Sequence, residues 1–271
     1  WQNWGLCWRT ARKVPPGTGS DPLMKEWITG RNPVMEVLEA KRRQVYKLLL
    51  ATGVEEKGRV AEIMRVAVNR KIPVERVARD RLDRLGENPQ GVALEVGDYP
   101  YVDLADIIDK AASADEDLFV LVLDLIQNPQ NLGTLLRTAE AAGVHGVVIP
   151  QHRAAGVTPA VVTASAGAAE HMLLTQGTIT RSLEQLKQAG AWVVGLAGEE
   201  GASSQREIPL SGPLAIVVGN EGEGIRPLVR QSCDFLLSLT MRGKIESLNA
   251  AVAGSIVLYQ AMMAREKKPG K

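Results

Sequence analysis

The sequence has few cysteines and histidines, and this scarcity argues against several classes of protein. Among 271 residues there are two cysteines, Cys7 and Cys233, and three histidines, none at the spacing of a metal or redox motif. A disulfide framework and a zinc or iron site are therefore not expected. No apolar run reaches the ~18 residues that a membrane-spanning helix needs. These absences predict a cytoplasmic protein that binds no metal and no membrane.

The chain also lacks a strong excess of one charge, because its formal net charge is only +1. Residues 24–100 carry 15 Lys and Arg against 12 Asp and Glu, whereas residues 101–271 carry 14 against 18. A basic excess in the first part is consistent with contacts to the phosphates of a nucleic acid. A solvated surface explains the excess as well, and the charge by itself favours that simpler interpretation.

Residues 1–23 have no clear structural period, although they contain three of the five tryptophans. A well-patterned segment begins only at Met24. We interpret residues 1–23 as an extension that lies outside the fold. A signal peptide fits poorly, since no compact apolar stretch precedes a small-residue cleavage site. The alternative is a tail that itself contacts RNA.

The segment from residue 24 to residue 100 has the pattern of a small α/β domain. Apolar residues at helical or alternating spacing predict helices over 33–41 and 56–70, and strands over 45–51, 72–78 and 91–97. Residues 101–117 follow as a linker that contains a helical stretch and an acidic turn. We therefore predict a first domain over residues 24–100 and a boundary at the linker.

Residues 118–271 alternate regularly between strand and helix patterns. The strands are predicted over 118–126, 144–150, 171–175, 191–197 and 214–219, and the helices over 131–143, 158–170, 179–190 and 245–268. Several of these strands are continuous apolar runs, as is usual for strands buried on both faces. The pattern predicts a second α/β domain with a parallel sheet and helices on both sides.

The first of three motifs follows the strand over 118–126. It has the form N-x-x-N-x-G-x-x-x-R and includes Asn131, Gly133 and Arg137. Ligands of open α/β sheets bind at the carboxyl ends of strands, where an arginine offers a fixed charge and a planar set of donors. Taken singly, these residues are equally well explained as a capping asparagine, a turn glycine and a solvated arginine.

The other two motifs follow later strands. The sequence GNEGEG, residues 219–224, comes directly after a buried strand, and its glycine order differs from the G-x-G-x-x-G of dinucleotide-binding loops. No Gly-Lys-Ser/Thr follows, so a phosphate-binding P-loop is also not indicated. The third motif places Ser247 and Asn249 before a helix rich in small residues. A tight turn and a capped helix remain the plain alternatives for these two segments.

In their order, these motifs resemble the signature motifs of the SpoU (TrmH-like) family of RNA 2′-O-ribose methyltransferases in the SPOUT superfamily. The likeness covers residues 118–263. Residues 24–100, with TGRNPVMEVL and NPQGVA, resemble the substrate-binding domain that often precedes this fold. The nearest branch is that of the RlmB-type 23S rRNA guanosine 2′-O-methyltransferases.

The resemblance implies a fold and an activity. The implied fold is α/β, with a C-terminal SPOUT domain that has a parallel sheet and a deep trefoil knot. The implied activity is methyl transfer from S-adenosylmethionine to a ribose 2′-hydroxyl, with a guanosine of 23S rRNA as the expected target, by a homodimer that packs through the knotted domain. A tRNA methyltransferase, a non-catalytic RNA-binding module and a nucleotide-dependent oxidoreductase are the alternatives.

The resemblance also implies roles for individual residues. The cofactor pocket is expected to include Leu196, Ala197, Gly198, Gly219, Asn220, Leu239 and Leu248. The catalytic residues are expected to be Arg137, Asn131, Glu221, Ser247 and Asn249. A guanidinium is normally a pure donor, so Arg137 suits phosphate binding and alkoxide stabilisation better than general base catalysis. Ser247 or an RNA phosphate remains open as the proton acceptor. The RNA contacts are expected at Arg31, Arg42, Arg43 and Lys47.

Overall fold

The computed structural model describes residues 25–152, 154–198, 208, 210–245 and 247–266. The extension proposed for residues 1–23 lies outside these residues. The described chain forms a four-stranded sheet followed by a six-stranded sheet. No helix of the described part is long and apolar enough to cross a membrane.

The first sheet is mixed and has the strand order β1-β4-β2-β3. Strand β4 runs antiparallel to β1 and β2, whereas β2 and β3 are parallel, so the carboxyl ends of β1, β2 and β3 meet at one edge. The strands are β1 Glu26–Thr29, β2 Val45–Ala51, β3 Val74–Val77 and β4 Val92–Val96, and the helices are α1 Arg31–Ala40, α2 Arg59–Asn69 and α3 Arg79–Asp83.

The second sheet is entirely parallel and has the order β10-β8-β9-β5-β6-β7. Its strands are β5 Phe119–Asp124, β6 Gly146–Pro150, β7 Leu174–Gly177, β8 Trp192–Leu196, β9 Leu214–Gly219 and β10 Phe235–Leu237. Its helices are α4 Leu104–Ser113, α5 Pro129–Ala141, α6 Pro159–Ala164, α7 Ile179–Gln188, α8 Pro227–Gln231 and α9 Ala250–Glu266, with a 3₁₀ helix at Ala168–His171.

Helices cover both faces of this sheet, which explains why its central strands are apolar throughout. Along β5, Val120 and Val122 pack with α4 and α7, while Leu121 and Leu123 pack with α5 and α9. The alternation follows from the two-residue repeat of a strand. The strand order reverses between β5 and β9, which is where open α/β sheets place their ligands.

Most elements lie where the sequence patterns predict them, and the differences have local causes. The predicted helix over 158–170 is interrupted at Gly167, whose φ is +93° and whose missing Cβ leaves room for Glu36. The last helix begins at Ala250 rather than at residue 245, because Asn249 caps it. Four elements were not predicted, namely β1, α3, α8 and β10, and none is longer than five residues.

The segment 101–117, predicted as a linker, contributes a packed helix. Its residues Leu104, Ile107 and Ala111 are buried against the second sheet, and Ile107 fills the space beside Gly146. The domain boundaries themselves remain a prediction. The trefoil knot also stays an expectation, because residues 199–207 and 246, in the loops that would form it, lie outside the described part.

A cluster of buried polar side chains joins the two halves of the chain. The Nε atom of Arg43 lies 3.0 and 3.1 Å from the two carboxylate oxygens of Glu170, and its Nη1 donates to Glu26 at 2.9 Å. Arg42 donates to the Tyr99 hydroxyl at 2.9 Å, to the Pro100 carbonyl at 3.0 Å and to two further carbonyls. Burial raises the pKa of Tyr99 to about 12, so its hydroxyl stays protonated and can donate.

This cluster contains two of the predicted RNA contacts and corrects one of them, Arg43. The side chain of Arg43 is fully buried, and both Arg42 and Arg43 are occupied by acceptors inside the protein. The prediction that Arg43 contacts an RNA phosphate is therefore wrong, because its guanidinium is buried. Arg42 is half-buried, and its RNA contact stays a prediction. Both arginines fix the position of one half of the chain against the other.

Candidate functional site

The polar residues of the three motifs lie at the carboxyl edge of the second sheet, where the strand order reverses. Asp124, the last residue of β5, pairs in register with Gly219, the last residue of β9. Asn128 then caps α5 by accepting the backbone N–H of Gln130 at 2.8 Å, and Pro129 occupies the first helical position. The first two motifs are therefore adjacent because their strands are neighbours.

The loop after β9 is a compact turn that only glycine permits at its start. A Cβ on Gly219 would lie 2.1 Å from the carbonyl carbon of Gly224, far inside the contact distance of two carbon atoms. Asn220 and Gly224 exchange two backbone hydrogen bonds of 3.2 Å, and Asn220 Oδ1 accepts the N–H groups of Gly222 and Glu223. The loop thereby presents the backbone and carboxylates of residues 219–224 at the sheet edge.

Hydrogen bonds link one residue from each motif. Asn131 at the start of α5 donates from its amide to the carboxylate of Glu221. Asn249 donates to the side-chain oxygen of Asn131 at 3.3 Å, and its own oxygen accepts the N–H of Ala251 at 2.9 Å. Three of the five predicted catalytic residues therefore form one connected chain of amides and a carboxylate.

Small residues in α9 bring the third motif close to the other two. A Cβ on Gly254 would lie 2.7 Å from Leu135 in α5 and 3.1 Å from Val218 in β9. The hydroxyls of Thr138 and Ser255 are 2.9 Å apart across the same contact. Gly254 therefore allows α9 to pack closely against both elements, and this packing holds Asn249 beside Asn131.

A cavity of about 360 Å³ opens beside this hydrogen-bonded chain. Its lining includes all seven residues predicted for the cofactor pocket: Leu196, Ala197, Gly198, Gly219, Asn220, Leu239 and Leu248. Glu221 and Ser247 of the predicted catalytic set also line it. Among the described residues that form its walls, the only charged ones are Glu221 and Glu223. The cavity is within the usual size range for a small-molecule site, and its charge favours a cationic ligand.

Arg137 lies apart from this cavity. It is exposed on α5, and within the described chain its guanidinium has no hydrogen-bond or ion-pair partner. The side chain is therefore available to a substrate, and its catalytic role stays a prediction.

The two remaining predicted RNA contacts have different surroundings. Lys47 lies 3.8 Å from Glu75 and 4.0 Å from Glu95, so neighbouring carboxylates offset its charge. Arg31 donates from Nε to the carbonyl of Gln90 at 3.1 Å and lines a separate cavity in the first half of the chain. Arg31 is the better placed of the two for a phosphate.

One ion pair at the site was missed in the sequence analysis. Asp124 is fully buried, and its carboxylate accepts the backbone N–H of Arg226 at 2.9 Å and the guanidinium Nε at 2.8 Å. This pair fixes the end of the 219–224 loop to the end of β5. A signal was present, because a lone carboxylate in a buried apolar strand needs a partner.

Replacing Asp124 with alanine is expected to lower the free energy of unfolding by about 2–3 kcal/mol, since it removes charged hydrogen bonds from a buried position. Amide hydrogen exchange across residues 219–226 is expected to accelerate, because the loop loses its fixed end. The matched control is Asp109→Ala, at an exposed position on α4. Unchanged exchange in Asp124→Ala would show that the ion pair does not order the loop.

Models of two protein families match the chain. The SpoU rRNA Methylase family matches residues 118–259, and the family described as RNA 2′-O ribose methyltransferase substrate binding matches residues 27–102. A protein of Bacillus subtilis (strain 168), YacO, whose name assigns it to the TrmH family of tRNA/rRNA methyltransferases, is 39% identical over 243 residues. That match covers 89% of this chain and 96% of the relative.

Solved structures share the fold. The SpoU methyltransferase AviRb from Streptomyces viridochromogenes, solved in complex with the cofactor AdoMet, is 26% identical and superposes with a TM-score of 0.73 over 88% of this chain and 90% of its own. An AdoMet-bound rRNA methyltransferase from Sinorhizobium meliloti, at 23% identity, has the same fold, with a TM-score of 0.73 over 88% of this chain and 87% of its own.

Proposed function

Since the chain belongs to the SpoU rRNA methylase family, we propose that it transfers a methyl group from S-adenosylmethionine to a ribose 2′-hydroxyl of RNA. The observation that carries this proposal is the hydrogen-bonded chain of Glu221, Asn131 and Asn249 beside a cavity lined by all seven predicted cofactor residues. Proximity of this kind is what a transfer reaction requires, because bound reactants must be held in line.

The cavity suits S-adenosylmethionine in its lining and its charge. When bound, the cofactor supplies a methyl group on a positively charged sulfonium. Leu196, Leu239 and Leu248 offer an apolar surface for adenine, and the backbone of residues 219–224 offers hydrogen-bonding groups for the ribose. Glu221 and Glu223 supply negative charge, and no described residue of the cavity wall is cationic. The residues that line the cavity therefore support S-adenosylmethionine as the cofactor.

The polar residues would position the reacting ribose and stabilise its oxygen. Asn131 is held on both sides, by Glu221 and by Asn249, so its amide has one orientation. The guanidinium of Arg137 has no partner among the described residues, so it can bind an RNA phosphate and stabilise negative charge that develops on the 2′-oxygen. A guanidinium stays protonated, so the proton leaves by way of Ser247 or an RNA phosphate rather than by Arg137.

For the target, we propose a guanosine of 23S rRNA. This follows the resemblance to the RlmB type, and the match of residues 27–102 to a substrate-binding family supports an RNA that is recognised outside the methyl-transfer site. The TrmH-family relatives are named for both tRNA and rRNA, so tRNA is the alternative target.

We further infer that two copies associate through α9. This helix buries one face and leaves a second apolar stripe exposed, formed by Val252, Ile256, Tyr259 and Met263 at helical spacing. A contiguous apolar stripe of this kind is typical of a protein interface. The stripe begins one turn from Asn249, so an interface here would lie beside the site.

Ile256→Asp is expected to raise the dissociation constant of the dimer about a hundredfold, because two-fold symmetry places a carboxylate from each copy in an apolar contact. Sedimentation equilibrium over a range of protein concentrations measures the change. Val68→Asp, at an exposed apolar position on α2, is the matched control and should leave the dimer intact. A wild-type chain that is monomeric at tens of micromolar would contradict the inferred dimer.

The proposed activity is tested by incubating the chain with labelled S-adenosylmethionine and unmodified 23S rRNA or tRNA, followed by nucleoside analysis. Label in a 2′-O-methylguanosine of 23S rRNA is the expected result. Label in tRNA alone would show that tRNA, rather than 23S rRNA, is the substrate. Cofactor binding without transfer to any RNA would favour the non-catalytic module, and binding of NAD in place of S-adenosylmethionine would favour an oxidoreductase.

A further inference from the structure

A groove runs along the edge of the first sheet where β1, β2 and β3 end. This edge is opposite to the Arg43–Glu170 junction, since Arg43 precedes β2 and its partner Gly97 follows β4. Two cavities of about 550 and 490 Å³ lie side by side there and share Arg79, Asn88 and Gln90 in their walls. They therefore form one continuous groove, separate from the cavity at the second sheet.

The charge of this groove is positive in the larger of the two cavities. Of the described residues that line the larger cavity, only Arg31 and Arg79 are charged. The smaller cavity adds Arg84, together with the carboxylates of Asp83 and Glu87. An anion is therefore attracted to the larger cavity, between Arg31 and Arg79.

Two arginines of the groove, Arg79 and Arg84, differ from their neighbours in having no side-chain partner within the described residues. In the described chain, the guanidinium groups of Arg79 and Arg84 make no hydrogen bond or ion pair, whereas Arg76 pairs with Glu56 and Arg81 pairs with Glu75. A guanidinium without a partner is free to form charge-assisted hydrogen bonds with a phosphate. Among the described residues, the groove thus contains two arginines without a side-chain partner, and a third, Arg31, that is hydrogen-bonded to a carbonyl but paired with no carboxylate.

The polar wall of the groove is held in place by the loop before β4. Asn88, Gln90 and Gly91 have φ angles of 47°, 51° and 81°, and the Gln90 side chain accepts the N–H of Arg31 at 3.2 Å. A Cβ on Gly91 would lie 2.9 Å from Val54, so the loop packs closely against its neighbour. The Gln90 side chain is therefore held by Arg31, and the Thr52 hydroxyl is held by its hydrogen bond to the Val77 carbonyl at 3.1 Å; both line the groove together with Asn88.

We propose that this groove binds an unpaired nucleotide of the substrate RNA, with its phosphate between Arg31 and Arg79 and its base edge toward Thr52, Asn88 and Gln90. The larger cavity exceeds what a single phosphate needs and is in the range of sites that hold a small molecule. Splayed, unpaired nucleotides are the usual objects of specific RNA recognition. The inference rests on the proposed function in one respect, namely that the substrate is RNA.

The test compares the RNA affinity of Arg79→Gln with that of Arg81→Gln. The second variant is the matched control: it removes the same charge from the same helix, α3, but from an arginine that is already paired with Glu75. The binding assay uses the RNA that the wild-type chain methylates. If the wild-type chain methylates no RNA, the assay uses a 23S rRNA transcript. Arg79→Gln is expected to raise the dissociation constant about tenfold and to reduce the slope of log affinity against log salt by about one. In turnover it is expected to raise KM for RNA and to leave kcat unchanged.

Arg81→Gln is expected to stay within about twofold of the wild type in affinity and in salt dependence, because its exposed ion pair contributes little. Equal RNA affinity of the two variants would overturn the groove assignment, and so would a wild-type chain that binds no RNA. A wild-type chain that binds RNA but transfers no methyl group would overturn the proposed function alone, since the comparison of variants would still decide on the groove.

Discussion

Replacing Arg137 with alanine is expected to lower kcat for methyl transfer at least a hundredfold while leaving the dissociation constant of S-adenosylmethionine unchanged. The guanidinium lies outside the walls of the cavity, so cofactor binding does not depend on it. Removal of one group that stabilises developing negative charge costs about 10²–10³ in rate. Single-turnover transfer and calorimetric titration of the cofactor measure the two quantities separately.

Two further variants sharpen this result. Arg137→Lys retains the positive charge but loses the planar donor fork, and its rate is expected to fall between those of alanine and wild type. Arg181→Ala, at an exposed position on α7, is the matched control and should have wild-type activity. A wild-type rate in Arg137→Ala would remove this residue from the reaction and leave the Asn131 chain as the only catalytic feature of the account.

The second large effect is expected at the junction of the two halves. Arg43→Met should lower the free energy of unfolding by about 3–5 kcal/mol, because it leaves the carboxylate of Glu170 buried without its cation. Urea denaturation followed by circular dichroism measures this change. The double variant Arg43→Met/Glu170→Gln should recover much of the loss, since neither buried group is then charged.

The destabilisation should also depend on pH. Burial raises the pKa of Glu170, an effect that Arg43 partly offsets. A carboxyl whose pKa is higher in the folded state than in the unfolded state favours folding at low pH, and this contribution is lost as the pH rises. The deficit of Arg43→Met should therefore shrink as the pH falls toward 4.5, the ordinary pKa of a glutamate. A deficit that does not change between pH 7 and pH 5 would show that lost packing, rather than buried charge, causes it.

The sequence predicted which residues lie together around the cavity better than it predicted which charged side chains are buried. All seven pocket residues were carried over from the family resemblance, and they line one cavity. Six of them lie at or just after the ends of β8, β9 and β10, which are neighbours in the sheet, and Leu248 lies just before α9. Long, strongly patterned strands were also predicted well, and the bounds of β2 and β9 agree with the prediction at both ends. These features were predictable because they depend on patterns among residues that are close together in the sequence.

The errors concern interactions between residues far apart in the sequence. The sequence pattern predicted that Arg42 and Arg43 form a basic pair on the surface. In the structure, Arg42 donates to Tyr99, 57 residues away, and Arg43 donates to Glu170, 127 residues away. Asp124 and Arg226, which hold the loop at the site, are 102 residues apart. No local pattern distinguishes such a buried cation from an exposed one, because tertiary packing decides the difference. The short elements β1 and β10 were missed because three or four residues show no period.

The central claim, that the methyl group goes to a ribose 2′-hydroxyl, is tested most directly by alkaline hydrolysis of RNA labelled by the wild-type chain. Alkali cleaves RNA through attack by the 2′-oxygen on the adjacent phosphate, and a methyl group on that oxygen blocks the cleavage. We expect the label in an alkali-resistant dinucleotide that contains 2′-O-methylguanosine. Label recovered in a mononucleotide would place the methyl group on a base and contradict the account.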